Sequence, residues 1–104
     1  MNAGESTSGE GIGGAATIRR IVTICNKRGL HARAAAKLVK LAGTFDADVR
    51  VTKNGSVVSG RSIMGLMMLA AAIGSTIEIR ATGNQALEAA DAIAGLVTDG
   101  FDEE

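Results

Sequence analysis

The 104-residue chain holds a single histidine, His31, in the setting Gly29-Leu30-His31-Ala32-Arg33. Histidine is the side chain whose unperturbed pKa lies nearest neutrality, about 6.5. His31 follows a glycine turn and stands where a helical pattern begins. The first turn of a helix has unpaired N–H groups and a partial positive charge of about half a unit, which works against a cation placed there. A neutral imidazole is what a nucleophile needs. The backbone N–H groups of Ala32 and Arg33, with the Arg33 guanidinium close by, would then bind a dianionic group placed on the ring. Ring, anion site and guanidinium together describe phosphoryl acceptance. No partner acid, base or metal ligand adjoins His31, and one histidine with one cysteine cannot build a metal centre or a hydrolase site.

Ser62 is the second candidate. It precedes Ile63-Met64-Gly65-Leu66-Met67-Met68-Leu69 and is placed to cap a short helix. Three of the four methionines lie in this stretch. Ile63, Leu66 and Ala70 are expected to fill the core, leaving Met64 and Met67 at a partner surface, since Met repacks easily against different partners. Lys40 joins them as a partner-binding candidate. Cys25 reads as a small strand hydrophobe, and a lone cysteine excludes an internal disulfide or a CxxC site.

The elements that must position these residues follow from the hydrophobic period. Val22 and Ile24 alternate with Thr23 behind Ile18-Arg19-Arg20-Ile21, a half-buried strand. From Ala32 to Gly43, Ala35, Leu38, Val39 and Ala42 share one helical face, and Gly43 stops the helix. Val49 and Val51 alternate with polar residues, and Asn54-Gly55 leads into Val57 and Val58. That pair is a strong hairpin signal because both turn positions need positive φ. Ile77, Ile79 and Ala81 make a fourth strand. Ala86, Ala90, Ile93 and Val97 then recur at helical spacing, with Leu87 and Ala94 widening the stripe. The order βαββαβα implies an α/β two-layer sandwich, an α+β arrangement with one sheet face covered and the other open.

Residues 1–16 are rich in Gly and Ser, with Ile12 as their one branched aliphatic, and are expected to be a flexible tail. Gly9, Gly11 and Gly14 match a dinucleotide-binding spacing, but no strand precedes them. The folded domain is expected over 17–99, with a short acidic tail over 100–104 whose Asp102-Glu103-Glu104 end is read as a solvated terminus. Eleven basic residues balance eleven acidic ones, which argues against a nucleic-acid partner. Only two aromatics, Phe45 and Phe101, are present for stacking on bases or sugars. No apolar run reaches the roughly 20 residues of a membrane span and no secretory signal is visible, so the expected location is the cytoplasm.

With these residues in view, the chain resembles the histidine-containing phosphocarrier (HPr) family of the bacterial phosphotransferase system. The family signature is Gly-Leu-His, a small residue, Arg, Pro and a small residue; the chain has Gly29-Leu30-His31-Ala32-Arg33-Ala34-Ala35. A Ser opening a short apolar helix is matched by Arg61-Ser62-Ile63-Met64-Gly65-Leu66, and Asn54-Gly55 and Gly83 also fit. Ala34 stands where the family has Pro; the Ala supplies an N–H that Pro lacks and loosens φ in the first turn. The resemblance implies a four-stranded antiparallel sheet in the order 1-4-2-3 packed on three helices. It also implies a phosphoryl group carried on Nδ1 of His31, steadied by Arg33. Enzyme I, charged by phosphoenolpyruvate, would be the donor and an enzyme IIA-type domain the acceptor. No bound cofactor, no metal and a monomeric chain are expected. Ser62 would be a regulatory site for an HPr serine kinase/phosphatase. Ala34 and the Met-rich helix lean toward the nitrogen-regulatory branch (NPr) over sugar transport. The rival reading is a non-catalytic regulatory adaptor controlled at Ser62; the presence of both His31 and Arg33 argues against it.

Overall fold

The computed structural model describes residues 17–103. The expected Gly/Ser-rich tail and its glycine spacing therefore lie outside the described residues. The elements run β1 (Thr17–Thr23), α1 (Ala32–Ala42), β2 (Asp48–Lys53), β3 (Ser56–Ser59), α2 (Ile63–Met68), β4 (Thr76–Thr82) and α3 (Ala86–Thr98), followed by a 3₁₀ turn at Gly100–Asp102.

The sheet order is β1-β4-β2-β3 and every neighbouring pair is antiparallel. This is the 1-4-2-3 order that the family resemblance implies. Asn54 and Gly55 have φ of 50° and 85°, so the hairpin between β2 and β3 turns at the pair whose chemistry favours it. β1 and β2 are not neighbours; β4 lies between them, pairing Arg19 with Arg80 on one side and Arg50 with Arg80 on the other.

Alternation decides the faces. Val49, Val51, Ile77, Ile79 and Ala81 point under the helices and are buried, while Arg19, Ile21, Arg50 and Arg80 face outward. Leu38, Ile93, Val97 and Leu66 close the core from the helical layer. α1 packs against both α2 and α3.

Four expectations need correction. Ile63 is 40% exposed and Ala70 is exposed. α2 has only six residues and buries Leu66 alone; Ile63 lies about 60° around the axis from it, outside so narrow a contact line. Leu87 is exposed because it sits about 100° from Ala86, past the edge of the buried stripe. Cys25 lies beyond the end of β1, exposed, with its thiol donating to the Val97 and Thr98 carbonyls at 3.5 and 3.4 Å. Residues 100–103 are no solvated tail: Phe101 is fully buried in the core, because an aromatic of that size gains more from burial than the turn costs.

Candidate functional site

The loop between β1 and α1 is fastened before it reaches His31. The Gly29 N–H donates to the Asn26 carbonyl at 3.1 Å, closing a turn. Gly29 has φ of 64°, and a Cβ there would lie 2.4 Å from the Ala71 carbonyl oxygen. Only glycine suits both the conformation and the space. The Leu30 N–H then donates to that same Ala71 oxygen at 2.9 Å, and the Leu30 side chain is buried. The chain thus enters α1 stitched to the segment after α2.

His31 is the N-cap of α1, with extended backbone, and its carbonyl accepts the Ala35 N–H at 2.8 Å. Its ring takes the place of a capping oxygen: Nδ1 accepts from the Arg33 N–H at 3.3 Å. The other ring nitrogen, Nε2, lies 2.6 Å from Oε2 of Glu103. The side chain is 15% exposed, so most of the ring is walled in. Arg28, Leu30 and Ala70–Ala72 line a small hollow of about 170 Å³ against it.

Glu103 has two partners. Its Oε1 accepts from Nδ2 of Asn26 at 3.0 Å, and Asn26, 4% exposed, also donates from Nδ2 to the Gly29 carbonyl at 2.8 Å. Hydrogen bonds from Asn26 and then from His31 hold the Glu103 carboxyl below the ordinary carboxylate range. Lys37 donates to the Phe101 carbonyl at 2.6 Å, tying this end of the chain to α1. Lys27, Arg28, Arg33 and Lys37 surround Asp102 and Glu103 in an open cleft of about 410 Å³. Four cations against two carboxylates make the cleft attractive to an anion.

Of the residues singled out from the sequence, His31, Ala32 and Arg33 come together at one helix end. Arg33 is exposed and lines the cationic cleft. Ser62 caps α2, its Oγ accepting the Gly65 N–H at 2.9 Å. Met64 and Met67 are 70% and 42% exposed, and Met68, on the same short helix, and Ile73, beyond it, are exposed as well. Lys40 is not among them; it lines the groove between α1 and α3 with Asp91 and Asp99. Sequence reasoning missed Asn26, Lys37 and Glu103. Asn26 and Lys37 flank His31 locally, whereas Glu103 reaches it through a chain reversal 72 residues downstream, for which the one available signal was Phe101, a large apolar residue inside an acidic stretch.

Comparison with known proteins gives a consistent picture. Residues 18–99 match the family model described as the PTS HPr component phosphorylation site. The chain is similar to phosphocarrier protein HPr of Cupriavidus necator, at 50% identity over 86 residues, covering 83% of this chain and 97% of that one. It is similar to phosphocarrier protein NPr of Shewanella violacea at 48% identity, covering 83% and 94%. Among solved structures, HPr-C-His from Thermoanaerobacter tengcongensis superposes with a TM-score of 0.80 at 37% identity, covering 84% of this chain and 98% of that one.

Proposed function

The chain belongs to the HPr family of phosphotransferase-system phosphocarriers, and we propose that it accepts a phosphoryl group on Nδ1 of His31 from enzyme I and passes it to an enzyme IIA-type acceptor. One observation carries this reading. Nδ1 accepts a backbone N–H, so it holds the ring's lone pair at the N-terminus of α1.

The chemistry follows from that placement. The Nδ1 pair forms a bond to phosphorus as the bond from phosphorus to the donor breaks, its pair leaving with the donor. The Arg33 N–H then has a phosphate oxygen to donate to in place of the ring nitrogen, and the guanidinium adds charge-assisted bonds. Among the described residues the nearest carboxylate, Glu103, is engaged by Asn26 and by the remote ring nitrogen, which suits holding the group over hydrolysing it.

Docking falls to the apolar patch on and after α2. Met64, Met67 and Met68 stand exposed on the element that packs against α1, and flexible thioethers can meet a donor and an acceptor in turn. Ser62 caps this helix, so a phosphate there would place charge at the patch's edge while the helix N-terminus tolerates it.

Relatives named HPr and NPr match at 50% and 48% identity, so the acceptor decides the branch. The test supplies labelled phosphoenolpyruvate and enzyme I, then a sugar-type or a nitrogen-type IIA protein. The chain should take up label and surrender it to one of the two. A chain that stays unlabelled while another HPr is charged in the same mixture contradicts the proposal.

A further inference from the structure

Beyond α3 the backbone makes an unusual reversal. Gly100, Phe101 and Asp102 all have positive φ, at 66°, 57° and 61°. Phe and Asp rarely adopt this left-handed geometry, and it persists only where surrounding contacts impose it. Here they do. The Phe101 ring is fully buried, its carbonyl accepts from Lys37 Nζ at 2.6 Å, and the Glu103 N–H donates to the Gly100 carbonyl at 3.0 Å. The product of the reversal is the delivery of one carboxylate, Glu103, to the loop that carries His31.

The contacts of that carboxylate fix protons. Asn26 must present its NH₂ toward Glu103 and Gly29, because both partners are acceptors; the opposite amide orientation would set oxygen against oxygen. A carboxylate held below the ordinary range accepts only, so His31 Nε2, 2.6 Å away, carries the hydrogen. At the other end of the ring Nδ1 accepts from Arg33 and carries the lone pair. The two contacts agree on the tautomer, and the 2.6 Å contact to Glu103 dominates, since the 3.3 Å contact from Arg33 lies at the weak end of the hydrogen-bond range.

We propose that Glu103 is a positioning residue for phosphoryl transfer, holding His31 as the Nε2–H tautomer so that the Nδ1 pair faces incoming phosphorus. The inference rests on His31 being the acceptor. In the step, Nδ1 forms the N–P bond, the donor's bond to phosphorus breaks with its pair going to the donor, and the Nε2 proton stays on the ring against Glu103. The ring gains positive character as the bond forms, and the adjacent carboxylate offsets it. On return transfer the same electrons move back and no proton need be exchanged. A carboxylate on the remote nitrogen of a functional imidazole fixes its tautomer and orientation in other sites by the same physics.

The test uses the full chain with ¹⁵N-labelled histidine, whose single ring gives unambiguous signals. In mildly alkaline buffer the parent should show a protonated Nε2 and a bare Nδ1. In Glu103→Ala the two shifts should converge toward a tautomer mixture, and phosphorylation by enzyme I should slow about tenfold, the scale for losing an orienting partner. Glu103→Gln, whose amide oxygen still accepts from Nε2–H, should keep the parent shifts and recover part of the rate. The proposal is overturned if either the shifts or the rate of Glu103→Ala stay at the parent value. Failure of the parent chain to be phosphorylated at His31 would overturn the acceptor reading instead, and the shifts would still report whether Glu103 sets the tautomer.

Discussion

His31 and Glu103 stand 72 positions apart in the chain and meet at 2.6 Å between Nε2 and Oε2. Glu103 is held ionised chiefly by Asn26 and secondly by His31, so its folded-state pKa is lowered. A carboxyl with a depressed pKa contributes stability above its unfolded pKa and loses it as pH falls through the folded value. The contact should therefore persist through neutral pH and release only on acidification below the range in which an ordinary Glu titrates. The Glu103 carboxyl ¹³C titration should have its midpoint below that of a Glu in an unstructured peptide. Asn26→Ala should raise that midpoint back toward the ordinary range, and by more than Lys37→Ala does. Equal midpoints in Asn26→Ala and the parent would mean that the bridge is not formed in solution.

Phe101 is the anchor of the same reversal. Removing a fully buried Phe side chain leaves a cavity, typically costing about 3–5 kcal/mol. Phe101→Ala should lose stability on that scale in denaturant titration and should also free Glu103, raising its carboxyl pKa. A loss under about 1 kcal/mol would show that Phe101 is a surface residue and the reversal after α3 is not fixed.

How much of this was legible follows from the range of the interactions. The Gly-Leu-His-Ala-Arg run places His31 and Arg33 at a helix start because the turn, the cap and the first helical turn are all local. Val49, Val51, Ile77 and Ile79 could be assigned a face because strand alternation depends on two-residue spacing alone. Ile63 could not: periodicity predicts a buried stripe only when a helix is long enough to have one, and α2 is not. Glu103 was illegible for a different reason. Its acidic neighbours read as solvated, and nothing local states that Phe101 will turn inward with positive φ and carry Glu103 to a loop at the other end of the chain. Strand order likewise came from the family resemblance, since alternation cannot say that β4 inserts between β1 and β2.

Arg33 separates the two parts of the proposed anion site. Its backbone N–H already contacts the acceptor nitrogen, whereas its exposed guanidinium lines the cleft. Arg33→Ala keeps the backbone donor and should slow transfer while leaving measurable phosphorylation. Arg33→Lys should fall between, because an ammonium cannot form the planar two-pronged contact. Single-turnover kinetics with charged enzyme I give the comparison, and a parent-like rate in Arg33→Ala would reduce the side chain to a solvated charge.

The surface of α2 offers a contrast between docking and stability. Met64 is 70% exposed, so Met64→Glu should move the melting free energy by less than about half a kcal/mol while weakening enzyme I binding. Ser62→Ala removes the acceptor of the Gly65 N–H and should cost about 1 kcal/mol without loss of binding. Ser62→Asp can still cap, so it should keep the fold and lose affinity. Calorimetry of binding and of unfolding on the same variants decides; Ser62→Asp binding like the parent would leave Ser62 as a helix cap alone.

The most direct measurement is the site of the bond itself. Enzyme I and phosphoenolpyruvate are supplied to the ¹⁵N-histidine chain, and phosphorus–nitrogen coupling is read on the single ring. The account predicts an acid-labile, alkali-stable phosphoryl group coupled to Nδ1, with Nε2 still protonated and no label in His31→Ala. Coupling at Nε2, or a group that survives acid, would contradict it.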